Sequence, residues 1–190
     1  MKPKFDLLIA AESGARVVNG WHCQIVPGIL QTDAYARAVI DATDVEGIVD
    51  ADERIEIRRT RQELIIRQED PLALQVILDE AVLRHHVGGP ETMRNQLEHL
   101  GELSRLPNVK IQVLPYAAGA HPALTGDFVL LVFRASDDLG MVYLETATTG
   151  LVLQSEREVR RYSRTYGTLQ AMALSPTESA ALIASAAKDL

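Results

Sequence analysis

The Asp70-Pro71 step separates two hydrophobic periodicities, and this change of period constrains the fold more than any other feature of the chain. Upstream, ADERIEIRRTRQELIIRQE (51–69) carries its charges at helical spacing, and the proline removes an amide that a continuing helix would need. Downstream come short apolar runs, LALQVIL (72–78), VKIQVLP (109–115), DFVLLVF (127–133) and MVYLE (141–145), with GLVLQ (150–154) as a candidate fifth. Runs of this length between turn residues fit strands better than helices. Between the first two, a helical stretch from Asp79 to His86 breaks at Gly88-Gly89, and Pro90 opens a helix with Met93, Leu97, Leu100 and Leu103 on one side. A strand, a helix and a second strand in that order predict a parallel pair.

The flanks read as helical. Residues 3–19 place Phe5, Leu8, Ile9, Glu12 and Ala15 on one helical face, with Asn19-Gly20 as the stop and 21–28 as an irregular link. Thr32 is the expected N-cap of a helix running to Ala42. Near the C-terminus, Ser155 with Glu158 and Ser175 with Glu178 are capping boxes that announce two helices. In the first of these, Val159, Tyr162, Tyr166 and Leu169 form an apolar stripe that reads as core. The expected architecture is α+β: a small mixed β-sheet of four to five strands with helices packed on it. It divides into a helical section (1–70), a sheet core (71–155) and C-terminal helices (156–190).

Composition narrows the function classes. The 190 residues carry 19 basic and 26 acidic side chains, a net charge of −7. That balance disfavours direct nucleic-acid contact, which needs a cationic footprint to displace phosphate counterions. No stretch reaches the ~20 apolar residues of a membrane helix. Cys23 is the one cysteine, which rules out an internal disulfide and suits a reducing cytoplasm.

No nucleotide-binding glycine loop or nucleophile elbow is present. The densest polar cluster is DEAVLRHHVGG (79–89), in which Glu80 and Arg84 can pair locally or grip a polar ligand together. His85 and His86 are adjacent and diverge by about 100° on a helix, a poor metal-ligand pair, so no metal and no cofactor is expected. Arg54, Arg58 and Arg61, with Gln62 beside them, share one helical face. Three guanidiniums suit an anionic partner, but Asp50, Glu53 and Glu56 lie close by, and the sequence favours a salt-bridged surface stripe. Asp50/Arg54 and Glu63/Arg67 are expected i,i+4 pairs. His121 in the loop 116–126 and Glu145 at a strand end are further polar candidates.

Read together, these segments resemble a known family. VPGILQTDAYARAVI (26–40) resembles its opening signature, and RRTRQ (58–62) its Arg-x-x-Arg-Gln helix. Residues 79–100, 109–133, VYLE (142–145) and ALSPTES (173–179) match further blocks. The family is the C-terminal domain of actinobacterial XRE-type helix-turn-helix regulators, a domain without an established biochemical role. Ile29 replaces the usual leucine, and His22 stands where an acidic residue is common. The chain opens at the helix that follows the DNA-binding half in that family. The resemblance implies a regulatory setting, with a covalently linked helix-turn-helix domain and a small partner protein. Its polar matches fall on Glu12, Gln31, Thr32, Tyr35, Arg58, Arg61 and Gln62. They continue on Glu80, Arg84, Gln96, His121, Tyr143 and Glu145.

The function this implies is a signal-sensing and interaction domain that binds a small molecule or a small protein. Arg61, Glu80, Arg84 and His121 are expected to converge on one pocket, with Gln31, Tyr35, Gln62 and Glu145 as further binding residues. Two other readings stay open. One is a small enzyme using Glu80, His85, His121 or Glu145; the other is a plain homodimerisation domain joined through 156–188.

Overall fold

The computed structural model describes residues 3–47, 49–133, 140–146 and 149–190, with side chains from Leu7 onward, so Phe5 of the first predicted helical face lies outside the described side chains. The chain is a mixed α+β fold, with six helices and one six-stranded sheet among the described residues. The strands are β1 (Ala15–His22), β2 (Ala73–Asp79), β3 (Val109–Leu114), β4 (Phe128–Phe133), β5 (Met141–Glu145) and β6 (Gly150–Leu153). The helices are α1 (Pro3–Gly14), α2 (Asp33–Thr43), α3 (Ala51–Ile66), α4 (Pro90–Leu103), α5 (Glu156–Met172) and α6 (Pro176–Lys188).

The sheet runs β3-β2-β1-β4-β5-β6. The β1–β2 and β2–β3 pairs are parallel and the remaining pairs antiparallel. The predicted parallel pair, crossed over by α4, is β2 and β3. The sheet has six strands rather than four or five because ARVVNGWH (15–22), expected to finish the first helix and run into a link, is a strand. Val17, Val18 and Trp21 favour an extended backbone, and Gly20 lies inside the strand instead of ending a helix. The first seventy residues are therefore not a helical section. They supply a central strand, and the three predicted sections interlock.

Each face of the sheet has its own core. On one face, Val18, Leu74, Val76, Leu78 and Ile111 pack with α1, α3, α4 and α6. On the other, Trp21, Ile77, Phe128 and Val142 pack against the Val159–Tyr166–Leu169 stripe of α5, with Tyr162 edge-on to Phe128. Ser175 and Glu178 form the predicted capping box at the start of α6. Asp50 caps α3 through the amides of Asp52 and Glu53 rather than pairing with Arg54. Arg67 turns to the Asp70 carboxylate and carbonyl rather than to Glu63. The helix expected over 79–86 is a short 3-10 turn, Glu80–Leu83.

Candidate functional site

The signature stretch Val26–Thr32 crosses the end of the sheet as an irregular loop, and an irregular loop must find partners for its backbone. Side chains from three helices supply them. The Tyr35 hydroxyl accepts from the Val26 amide (3.2 Å), and Gln31 Nε2 donates to the Val26 carbonyl (2.7 Å). Gln96 of α4, fully buried, donates to the Leu30 carbonyl (2.8 Å) and accepts from the Thr32 amide (2.7 Å). Gln62 of α3 donates to the Gln31 carbonyl (2.6 Å). The polar matches Gln31, Tyr35, Gln62 and Gln96 thus act on one object. They hold this loop rigid.

Beneath the loop, between α1, α3 and the sheet, lies a cavity of about 170 Å³. Its floor is a row of residues in register across the sheet, Val76, Gly20, Val129 and Tyr143. Gly20 makes room for the His22 imidazole, which lies over its bare backbone. A Cβ there would come within 2.6 Å of His22 Nε2 and 3.7 Å of Val76. Gly28 in the loop above has a comparable role, since a Cβ would stand 3.1 Å from the Arg61 guanidinium.

The polar groups of the cavity differ in how well they are satisfied. Arg61 is buried and grips Glu12 of α1 through two hydrogen bonds of 2.7 and 2.8 Å. Burial alone would push this guanidinium down, but the Glu12 carboxylate more than offsets that and holds it above its ordinary value. Arg58 donates from Nε to Gln31 (2.9 Å) and from Nη1 to the Arg54 carbonyl (3.0 Å), and meets no carboxylate at ion-pair distance among the described residues. Burial, then the neighbouring Arg61 and Arg54 charges, push it down to about 10, with Glu145 pulling the other way. It remains a cation at neutral pH. Tyr143 is 2% exposed, and its hydroxyl has no hydrogen-bond partner among the described residues. Burial, reinforced by Glu145, pushes its phenol up to about 12, so it stays a neutral donor.

At the rim, Asp127 lies between two groups that could otherwise do chemistry. Its carboxylate accepts from the Cys23 thiol (2.9 Å) and amide (2.9 Å) and lies 3.5 Å from His22 Nδ1. Burial pushes Asp127 up, but these hydrogen bonds outweigh it and hold it below the usual carboxylate range. Burial and then Asp127 push the Cys23 thiol up to about 12. A nucleophilic cysteine needs a base beside it and a lowered pKa. Here an acid separates the thiol from the imidazole, and Cys23 is held protonated.

The eight residues singled out in the sequence fall into three places. Arg61, Gln31 and Glu145 line the cavity, and Gln62 and Tyr35 brace the loop over it. Glu80, Arg84 and His121 do not line it, so the four-residue convergence of Arg61, Glu80, Arg84 and His121 is not formed. Arg84 pairs with Glu80 (3.2 Å) and Asp189 (3.6 Å), and Glu80 accepts from the Tyr116 amide (3.0 Å). The local pairing open in the sequence is the one adopted. His121 lies edge-on to Trp21, ring centres 5.0 Å apart, on the α5 side of the sheet. His85 meets the Gln24 carbonyl (3.1 Å), and no group of three or more potential metal ligands is assembled among the described residues.

The arginine stripe is where the sequence misleads. Arg54, Arg58 and Arg61 turn inward, and their expected partners Asp50, Glu53 and Glu56 bind none of them. Glu56 pairs instead with Arg59 (3.1 Å). A signal was available: Arg58 and Arg61 have no acidic residue three or four positions away on their own helix, so α3 alone cannot neutralise them.

The chain matches the family model described as a domain of unknown function, DUF5753, over residues 5–185. No curated protein and no solved structure matches it.

Proposed function

The chain belongs to the DUF5753 family, and from that premise we propose that it is the signal-sensing domain of a transcriptional regulator, binding a small molecule in the cavity beneath the Val26–Thr32 loop. The observation that carries this reading is the Tyr143 hydroxyl, a donor buried at the cavity floor with no partner among the described residues. Leaving such a group unmade costs about 1–3 kcal/mol. A cost of that kind is expected where binding needs it. The under-neutralised Arg58 at the same cavity supports the same reading.

In this role the domain relays occupancy to a linked helix-turn-helix domain in the cytoplasm, where a lone reduced thiol such as Cys23 is at home. A small protein is the other signal implied by the family resemblance. The enclosed, partly apolar shape of the site favours a small molecule over a protein surface. Native mass spectrometry of protein purified from its own host tests this directly. A bound organic molecule that gentle denaturation releases is the expected result, whereas a protein partner with no small molecule would reverse it.

A further inference from the structure

We infer that the cavity selects a small organic monoanion, a carboxylate of single-ring size, bound with its charge at Arg58 and Arg54, its apolar body against Val76, Val129 and the His22 imidazole, and a hydrogen-bond acceptor facing Tyr143. This deepens the sensing reading and rests on it.

Size sets the first limit. The cavity measures about 170 Å³, and an engineered cavity of roughly 150 Å³ takes up benzene. One six-membered ring with a small substituent fills it. The floor matches such a body, because Val76 and Val129 flank Gly20 and the His22 imidazole lies over its bare backbone, offering a flat ring between two apolar side chains.

Charge sets the second limit. Glu12 is taken by Arg61, and Asp127 is held by Cys23 and His22. The lining carries three guanidiniums, Arg54, Arg58 and Arg61, against three carboxylates, Glu12, Asp127 and Glu145, so what favours an anion is the placement of Arg54 and Arg58. Neither arginine makes an ion pair among the described residues. Arg58 has committed Nε and Nη1 and keeps Nη2 available. With the other lining charges balanced, these two guanidiniums suit a monoanion better than a phosphate dianion.

Direction sets the third. Arg54 and Arg58 are partly exposed whereas Tyr143 is buried, so the charged end of the ligand lies toward the mouth and an acceptor toward the floor. A neutral phenol can donate there and, held at about 12, does not ionise in competition.

Titration calorimetry on the whole chain tests this with benzoate, pyridine-3-carboxylate, pyridine-4-carboxylate and their primary amides. The carboxylates are expected to bind tighter than the amides by about tenfold or more, the effect of one charge-assisted hydrogen bond. Arg58→Gln should erase that preference. Arg54→Gln, at the more open end, should weaken it in the same sense if Arg58→Gln proves unstable. Tyr143→Phe should remove any advantage of a pyridine-carboxylate over benzoate, and Gly20→Val should abolish binding of all probes. Carboxylates and amides binding alike, both lost in Gly20→Val, would overturn the monoanion and leave the sensing cavity standing. No probe binding, or binding indifferent to Gly20→Val, would overturn both.

Discussion

Arg61 on α3 and Glu12 on α1 are joined by two hydrogen bonds of 2.7 and 2.8 Å with both side chains buried, and they form the clasp that closes one wall of the cavity. Breaking a buried pair leaves an uncompensated charge and costs about 3–5 kcal/mol, whereas replacing both partners with apolar residues of similar size is close to neutral. Glu12→Leu alone should therefore lower the urea midpoint sharply. The double variant Glu12→Leu with Arg61→Met should recover most of the loss. A double variant as unstable as the single one would mean that the pair contributes through its shape and not its charge.

Tyr143→Phe should make the ligand-free chain more stable, by up to about 1–3 kcal/mol, because it removes a buried donor with no partner among the described residues. The same phenol sets an alkaline limit. Its folded pKa is raised, so its contribution is complete below about pH 10, where a free tyrosine titrates, and is lost as pH climbs toward about 12. The melt of the wild type should fall through that window, and the Phe variant should fall less. Identical alkaline profiles would show that other groups control it.

Cys23 should alkylate slowly at neutral pH, since its thiol is pushed up to about 12. Asp127→Asn removes the negative charge but not the burial, so it should speed the reaction without making it fast. A rapidly labelled wild-type thiol would contradict the hydrogen bond drawn from Cys23 to Asp127.

Truncation at Ser155 removes α5 and α6, uncovering Trp21, Ile77 and Phe128 on one face of the sheet and β3 on the other. Each large buried side chain lost is worth about 2–5 kcal/mol. Several together exceed the roughly 5–15 kcal/mol margin of a whole domain. The shortened chain should be insoluble or melt without cooperativity, and a cooperative melt by calorimetry would show the helices to be appendages.

DNA binding by this chain should be weak and independent of sequence. Arg157, Arg161 and Arg164 do form a basic stripe along α5, despite the net charge of −7. A stripe of this kind contacts phosphate, which positions a protein but reads no bases. Anisotropy titrations should show affinity that collapses with salt and does not differ between sequences. Sequence-dependent, sub-micromolar binding at physiological salt would refute this.

Where local rules apply, the fold was legible. Thr32, Ser155 and Ser175 cap the helices expected of them, whereas α3 ends at Ile66, short of the Asp70-Pro71 step expected to stop it. β1 was hidden because Leu8, Glu12 and Ala15 keep helical spacing up to its first residue, and the pairing that makes 15–22 a strand comes from far along the chain. The candidate site was half legible. Arg61, Gln31 and Glu145 could be singled out as polar residues, but the decisive features are absences. Gly20 has no side chain, and among the described residues Tyr143 has no partner and Arg58 no carboxylate; an absence can be read only when the neighbours are in place.

The position of β1 also governs the order in which the molecule comes into being. It is zipped on one edge to β2 and on the other to β4, so an early segment waits for two later ones. A ribosome adding about 5–20 residues per second releases β1 seconds before Phe128–Phe133, while helices settle within about a microsecond. Helical signal should thus precede sheet signal by a wide interval, and the slow step of refolding should be closure of long loops around the middle strand. Gly20 and its neighbours acquire their roof and walls only after that step. Gly20, in the middle of the cavity floor, is made before most of this fold and enclosed with its last parts.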